Sequence, residues 1–218
     1  MAKESIKDYF QAQPKIKRLK IYHVNKFSHE VRYLTPTTVN RELAEKVLDM
    51  LPNLVGKLAQ HLNKTDEAYR KSLAENSNSL SLPFGFNVYH KKGALTRNNP
   101  VAKPIIQLVY MLLSWISPDK DYSAFSINKN RKFKAHFDDK NVKPSIIVSF
   151  GSHKSGGGLY IYDENDKTTL YDINRKFLVF DGKNLKHESE GWNGGDRYTL
   201  VFYKMTKTPD KTLESLAE

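Results

Sequence analysis

Hydrophobic residues recur at two different periods along the chain, and the change falls near Tyr122. Between residues 38 and 62, Leu43, Val47, Leu48, Leu51, Leu54, Val55 and Leu58 return every three or four positions. That is the stripe of an amphipathic helix, with Pro52 expected to kink it or to start a second one. Residues 100–117 predict another helix, beginning near Pro104 and ending before Pro118. Residues 76–81 read as a polar Ser/Asn loop. The first ~35 residues are basic, and Ile16, Lys17, Arg18, Leu19, Lys20 and Ile21 alternate as in a strand or an exposed basic arm.

Beyond Tyr122 the apolar residues come in short runs rich in Val, Ile, Phe and Tyr. They occupy residues 124–127, 133–136, 145–150, 158–163, 168–172, 177–180, 186–190 and 198–203, with Gly-rich and Asp/Asn-Gly turns separating some of them. About eight short strands at regular spacing predict a sandwich or a jelly-roll barrel. The expected fold is therefore α+β. A helical N-terminal layer (residues 1–120) packs on a cupin-like double-stranded β-helix (residues 121–205), followed by a tail (206–218), all in one domain with no internal repeat.

Composition narrows the class. Hydrophobic residues make up 39% of the 218 positions and charged residues 27%, which suits a globular domain rather than a disordered chain. Cysteine is absent, so disulfide scaffolds, cysteine-ligated metal sites and cysteine nucleophiles are excluded. The longest apolar stretch, residues 105–116, is broken by Gln107 and Ser114 and is too short to span a bilayer. The opening MAKESIKDYF has no apolar signal-peptide core, so an intracellular protein is expected. The formal charge of +11 favours polyanionic partners such as nucleic acid, although a generally basic surface with no such role gives the same number.

Among seven histidines, only His136 has a carboxylate two positions on, in His136-Phe137-Asp138. Positions two apart on a strand share a side, so both could grip one metal ion. With a third ligand they would form a facial triad of two histidines and one carboxylate, which leaves open positions on iron(II). Taken alone the motif is more often a polar strand end facing solvent. His187, in a later strand-like segment, is the candidate third ligand. Arg197 opens the strand at residues 197–203 and could pair bidentately with a carboxylate, and Thr199 shares its face. A surface arginine is the other reading of Arg197.

These segments together resemble the 2-oxoglutarate/iron(II) dioxygenase superfamily, and within it the TET/JBP branch of methylpyrimidine dioxygenases. The likeness rests on four motifs between Tyr122 and Lys204: His136-Phe137-Asp138-Asp139-Lys140-Asn141; Gly156-Gly157-Gly158-Leu159; Phe180-Asp181-Gly182 leading to His187; and Arg197-Tyr198-Thr199-Leu200-Val201-Phe202-Tyr203. The resemblance implies that His136, Asp138 and His187 hold Fe(2+). It implies that Arg197, assisted by Thr199, holds the co-substrate 2-oxoglutarate, with O2 as the second co-substrate. It also implies that Asn141 contacts a target base, where a turn-forming asparagine is the alternative. The chain departs from the animal enzymes in a shorter interval from His187 to Arg197 and in lacking their cysteine-rich zinc region.

The implied reaction is hydroxylation of the 5-methyl group of 5-methylcytosine, or of thymine, in DNA, on a base flipped from the stack. Candidate phosphate contacts are Lys15, Lys17, Arg18 and Lys20; Lys91, Lys92 and Arg97; and Lys129, Arg131, Lys132 and Lys134. Phe84, Tyr89, Phe137 and Trp192 are candidate stacking residues, and residues 84–90 a candidate substrate loop. His90 and His153 read as surface residues, and Gly156-Gly157-Gly158 as a tight strand connection. Three other readings stay open: the same chemistry on protein, RNA or a small molecule; a non-catalytic nucleic-acid-binding jelly roll; and a sugar-binding or cupin-like jelly roll.

Overall fold

A computed structural model describes residues 31–66, 69, 78–86, 99–205 and 212–218. The basic arm expected at residues 16–21 with Lys15, the cluster of Lys91, Lys92 and Arg97, and Tyr89 and His90 lie outside the described residues.

The described chain runs β1 (Arg32–Tyr33), α1 (Thr38–Thr65), β2 (Leu80–Gly85), α2 (Ala102–Ile116), β3 (Ala124–Lys129), β4 (Ser145–Gly151), β5 (Ser155–Gly156), β6 (Leu159–Tyr162), β7 (Thr168–Tyr171), β8 (Leu178–Phe180), β9 (His187–Ser189), β10 (Trp192–Asn193), β11 (Arg197–Tyr203) and α3 (Glu214–Ala217). Helix α1 is capped by Thr37, whose hydroxyl accepts from the Asn40 N–H. It passes through Pro52 without ending there, so the expected second start does not occur. Helix α2 begins at Ala102, two residues before Pro104, with Asn99 Oδ1 accepting from the Val101 and Ala102 N–H groups. Pro104 thus falls in the first turn, where no N–H is needed.

Six strands form one sheet in the order β1-β8-β4-β11-β3-β2, every pair antiparallel. A second sheet has the order β7-β6-β9. His136 bridges His187 on β9, and the Ser189 N–H donates to the Phe133 carbonyl, so residues 133–136 lie along the outer edge of that sheet. The chain therefore alternates between sheets: β3, then residues 133–136, β4, β6 and β7, β8, β9 and β11. This is the double-stranded β-helix with a helical layer, in an α+β chain, as the sequence pattern predicts.

The large sheet has two unlike faces. On β11, Tyr198, Leu200 and Phe202 join Phe125, Ile127, Ile146, Val148 and Phe150 in a core sealed by α1 and α2. The alternate residues Thr199, Val201 and Tyr203 turn into the roll and line a cavity. Strand β2 corrects an expectation: Leu80 and Ser81 belong to it rather than to a loop. Pro83 is tolerated because β2 is an edge strand that pairs only with β3. Phe84 is fully buried and stacks on Phe125 at 4.6 Å between centroids, so it is core and not a base-stacking residue.

Phe125→Ala should empty the centre of this core, between Phe84 and Phe202. A loss of about 3–5 kcal/mol in unfolding free energy is expected in denaturant titration. A change below ~1 kcal/mol would place the core elsewhere.

Candidate metal centre and anion pocket

Strand pairing assembles the centre. His136 and His187 exchange two backbone hydrogen bonds of 3.0 Å each, which sets their rings 4.3 Å apart between centroids. The Asp138 N–H donates to the Gly182 carbonyl at 2.8 Å. A methyl group on Gly182 would come within 2.7 Å of Asp138 Oδ2, so only glycine lets the carboxylate pass there. Asp138 Oδ1 lies 3.7 Å from His136 Nε2, and Oδ2 lies 3.9 Å from His187 Nε2. One ligand atom from each of His136, Asp138 and His187 falls within 4.8 Å of the others, the only such metal-binding group among the described residues.

The surrounding hydrogen bonds prepare these groups for a cation. His136 Nδ1 donates to the Lys134 carbonyl at 2.7 Å, and His187 Nδ1 to the Leu185 carbonyl at 2.9 Å. In a neutral imidazole this leaves the Nε2 lone pair free, and both Nε2 atoms face Asp138. Asn141 Nδ2 donates to Asp138 Oδ2 at 3.1 Å and to the Ser145 hydroxyl at 3.1 Å. Asn141 lines the cavity and also closes a turn, its N–H donating to the Asp138 carbonyl. Burial pushes the Asp138 carboxyl above the ordinary carboxylate range, against the pull of His187 and His136. Burial likewise lowers the His187 imidazole, against the Leu185 carbonyl and Asp138. Each shift favours the uncharged form, and a bound divalent cation would reverse the cost at Asp138. Two imidazoles and one carboxylate, oriented in this way, fit a divalent transition metal such as iron(II).

The cavity beside the triad has a volume of about 290 Å³. Phe133, Ile147, Leu159, Phe180 and Val201 give it apolar walls, and Asn128, Thr199 and Tyr203 are among its polar residues. Thr199 is buried, and its hydroxyl accepts from Asn128 Nδ2 at 3.2 Å. Across β4 and β11, Thr199 pairs with Ser149 and Arg197 with Gly151.

Arg197 does not line this cavity. Its Nε and Nη2 both donate to the Gly157 carbonyl, at 3.0 and 2.7 Å, and Trp192 covers the guanidinium at 5.4 Å. Arg197 thus occupies one face of Trp192, a candidate stacking residue. The arginine is 2% exposed and forms no ion pair among the described residues, and burial lowers its pKa to about 10. A buried, unpaired cation is costly and calls for an anion. Among the described residues, the buried side-chain atoms with no hydrogen-bond partner are the Tyr69 and Ser149 hydroxyls and both ring nitrogens of His153. A methyl on Gly157, whose φ is +81°, would come within 2.7 Å of Arg197 Nε and 3.3 Å of His153 Nε2. The glycine-rich turn therefore does more than join strands, since Gly157 provides the floor on which Arg197 and His153 meet. His153 is buried, not at the surface as its sequence context suggests. Its burial, with Arg197 adding to it, holds the imidazole below its ordinary pKa. Arginine, serine hydroxyl and imidazole so placed fit a carboxylate.

The jelly roll and its site define a class: a double-stranded β-helix carrying a two-histidine, one-carboxylate triad and a buried arginine. No family model matches the sequence, and no curated protein matches it. Solved structures similar to this chain include NgTET1 in complex with 5mC DNA, at TM-score 0.44 and 14% identity over 71% of this chain and 70% of that one. An oxidoreductase of the 2OG-Fe(II) oxygenase family from Burkholderia pseudomallei is similar at TM-score 0.43 and 14% identity, over 57% of this chain and 66% of that one. A prolyl hydroxylase from Trichoplax adhaerens, in complex with a peptide fragment of the hypoxia inducible factor oxygen degradation domain, is similar at TM-score 0.40 and 14% identity, over 78% and 93%. Likeness at this level assigns neither substrate nor residue roles. No helix among the described residues is long and apolar enough to cross a membrane.

Asp138→Ala should abolish Mn(II) binding in isothermal titration. Asn141→Ala should weaken it roughly 10–100-fold by freeing the carboxylate to turn. Binding should also weaken as pH falls through the raised Asp138 value, because a proton then holds the carboxyl that the cation needs. Unchanged affinity in Asp138→Ala would remove the triad from metal binding.

Proposed function

We propose that the protein is an iron(II)- and 2-oxoglutarate-dependent dioxygenase acting on the 5-methyl group of a pyrimidine in DNA, 5-methylcytosine before thymine. The observation that carries the co-substrate is the buried Arg197, unpaired by any carboxylate among the described residues and bordered by the orphaned Ser149 and His153.

In this reading His136, Asp138 and His187 hold iron(II). Arg197 takes the distal carboxylate of 2-oxoglutarate, with the Thr199 and Ser149 hydroxyls and His153 as further partners. The metal with its co-substrates supplies oxidative decarboxylation of 2-oxoglutarate to succinate and carbon dioxide, with insertion of the other oxygen atom of O2 into a substrate C–H bond. The chain's own residues position and protect. The Lys134 and Leu185 carbonyls fix the imidazole tautomers, Asn141 fixes the carboxylate, and the apolar walls keep bulk water from the reacting centre.

The DNA assignment rests on the resemblance of the metal motif and its trailing Asn141, and on the basic segment from Lys129 to Lys134 that leads into the triad. The Asn141 amide nitrogen serves Asp138 and Ser145, so any contact with a base would use its carbonyl oxygen as acceptor or follow a change of partner.

With Fe(II), 2-oxoglutarate and oxygen, the protein should form succinate, and His136→Ala should not. DNA containing 5-methylcytosine should yield hydroxymethylcytosine on nucleoside mass spectrometry. Turnover on a peptide with no product from either methylcytosine or thymine DNA would reject the DNA assignment and leave the chemistry standing.

A separate measurement tests the anion pocket. Binding of 2-oxoglutarate to the Mn(II)-loaded protein should change the fluorescence of Trp192, which covers Arg197. Arg197→Met should weaken that binding roughly 100-fold or more, as expected for a buried charge pair. His153→Leu should weaken it about fivefold, the value of one neutral hydrogen bond. Wild-type affinity in Arg197→Met would place the carboxylate elsewhere.

A further inference from the structure

Phe137 stands between two metal ligands and turns the other way. His136 and Asp138 line the cavity, whereas Phe137 is 47% exposed. An isolated exposed aromatic ring needs no explanation, but this one sits on the rim of the candidate centre. Its neighbours in sequence are charged. Between Lys129 and Lys143 there are six Lys/Arg residues against Asp138 and Asp139. Lys129 is paired with Asp196, and Lys143 with Asp119. Arg131, Lys132 and Lys134 are exposed and form no ion pair among the described residues, Arg131 lying over the Phe133 ring at 5.3 Å. The opposing charges beside the ring are Asp138, half-buried toward the cavity, and Asp139, which is exposed.

The cavity sets a second condition. At about 290 Å³ it is at the lower end of small-molecule pockets, so it admits one small group. If that group belongs to a polymer, the rest of the polymer must cross the rim. There it meets unpaired cations and the face of a phenyl ring. Cations flanking an exposed ring suit a backbone of phosphates carrying bases, because each base has a face to stack and each phosphate a charge to neutralise. In a duplex those faces are covered by neighbouring bases, and only an unstacked strand offers them.

We propose that Phe137, with Arg131, Lys132 and Lys134, forms the docking ledge for a single-stranded polynucleotide. The ring stacks on the base adjoining the one that enters the cavity, and the three cations contact its phosphates. The proposal rests on the reading that a nucleic acid delivers the reactive methyl group.

Fluorescence anisotropy on the full chain, without iron or turnover, tests it with labelled single-stranded DNA, the corresponding RNA and duplex DNA of the same sequence. Binding to a single strand should exceed binding to the duplex, the DNA and RNA arms identifying the source. Phe137→Ala should weaken single-strand binding roughly fivefold or more, and Phe137→Tyr should restore it. Each of Arg131→Ala, Lys132→Ala and Lys134→Ala should flatten the logarithmic salt dependence by about 0.7. Thermal unfolding of the variants checks that they remain folded. Duplex binding equal to or tighter than single-strand binding, or unchanged affinity in Phe137→Ala, would overturn the ledge. A hydroxylated duplex product alongside such results would leave the proposed function intact. Ledge binding without hydroxylation of any DNA would instead fail that function alone.

Discussion

Two backbone hydrogen bonds between His136 and His187 decide where everything else in the site can be. They are the last rung of the smaller sheet, and they join segments 51 positions apart. Because the rung is an antiparallel pair, the two side chains leave the sheet on the same side and their rings meet, tilted by 51°. The sharp approach of Asp138 to Gly182 then adds a carboxylate to two imidazoles already in place. A slip of one residue in this register would turn the His187 ring to the other side of the sheet, leaving no triad. The metal centre is thus a property of the register, and the register is fixed by cores on both sides of the roll.

The division of the large sheet into a dry face and a polar face explains how one small domain carries so many buried polar groups. Tyr198, Leu200, Phe202, Ile146, Val148 and Phe150 give the helices an apolar surface, which supplies the main hydrophobic contribution. The inner face is free of that task. It carries Asn128, Ser145, Ser149, Arg197 and Thr199, all buried. Most of these satisfy one another: Asn128 with Ser81 and Thr199, and Ser145 with Asn141. Ser149 and His153 do not, and they lie where Arg197 is short of an anion. Unmet polar groups in a well-packed roll are costly, so His153, set beside Arg197 over Gly157, calls for a polar partner.

Much of this was legible in the residues because strand periodicity is local. His136-Phe137-Asp138 announced a same-face pair, and Arg197 and Thr199 announced a second. The strands around residues 145–150 and 198–203 were found to within a residue or two. Strand β2 was missed because Ser79, Ser81 and Pro83 look like breakers, and only its edge position, set by pairing with β3, makes the proline acceptable. His153 was misread for a deeper reason. Ser152, Lys154 and Ser155 around it are polar, and its burial comes from Arg197, 44 residues later, meeting it over Gly157. The alternation of Ser145, Ile147 and Ser149 against Ile146, Val148 and Phe150 carried a readable hint, since polar residues recurring on one face of a central strand mark the lined side of a roll. Asn141 was read as a turn former or a base contact. The structure gives it the turn and a hold on Asp138, two tasks that need the fold to bring Ser145 and Asp138 to the same amide.

The site is graded from wet to dry in the order a reaction would need. His136 and Asp138 are half-buried at the mouth, His187 is buried, and Arg197 is the most enclosed of the four. Arg197 stands behind the cavity that the triad lines rather than in its wall, on the same face of β11 as Thr199, which does line it. The charge of the chain then becomes meaningful by position rather than by sum. The cations that matter are Arg131, Lys132 and Lys134, exposed, without an ion pair among the described residues, and carried on the segment that ends in His136.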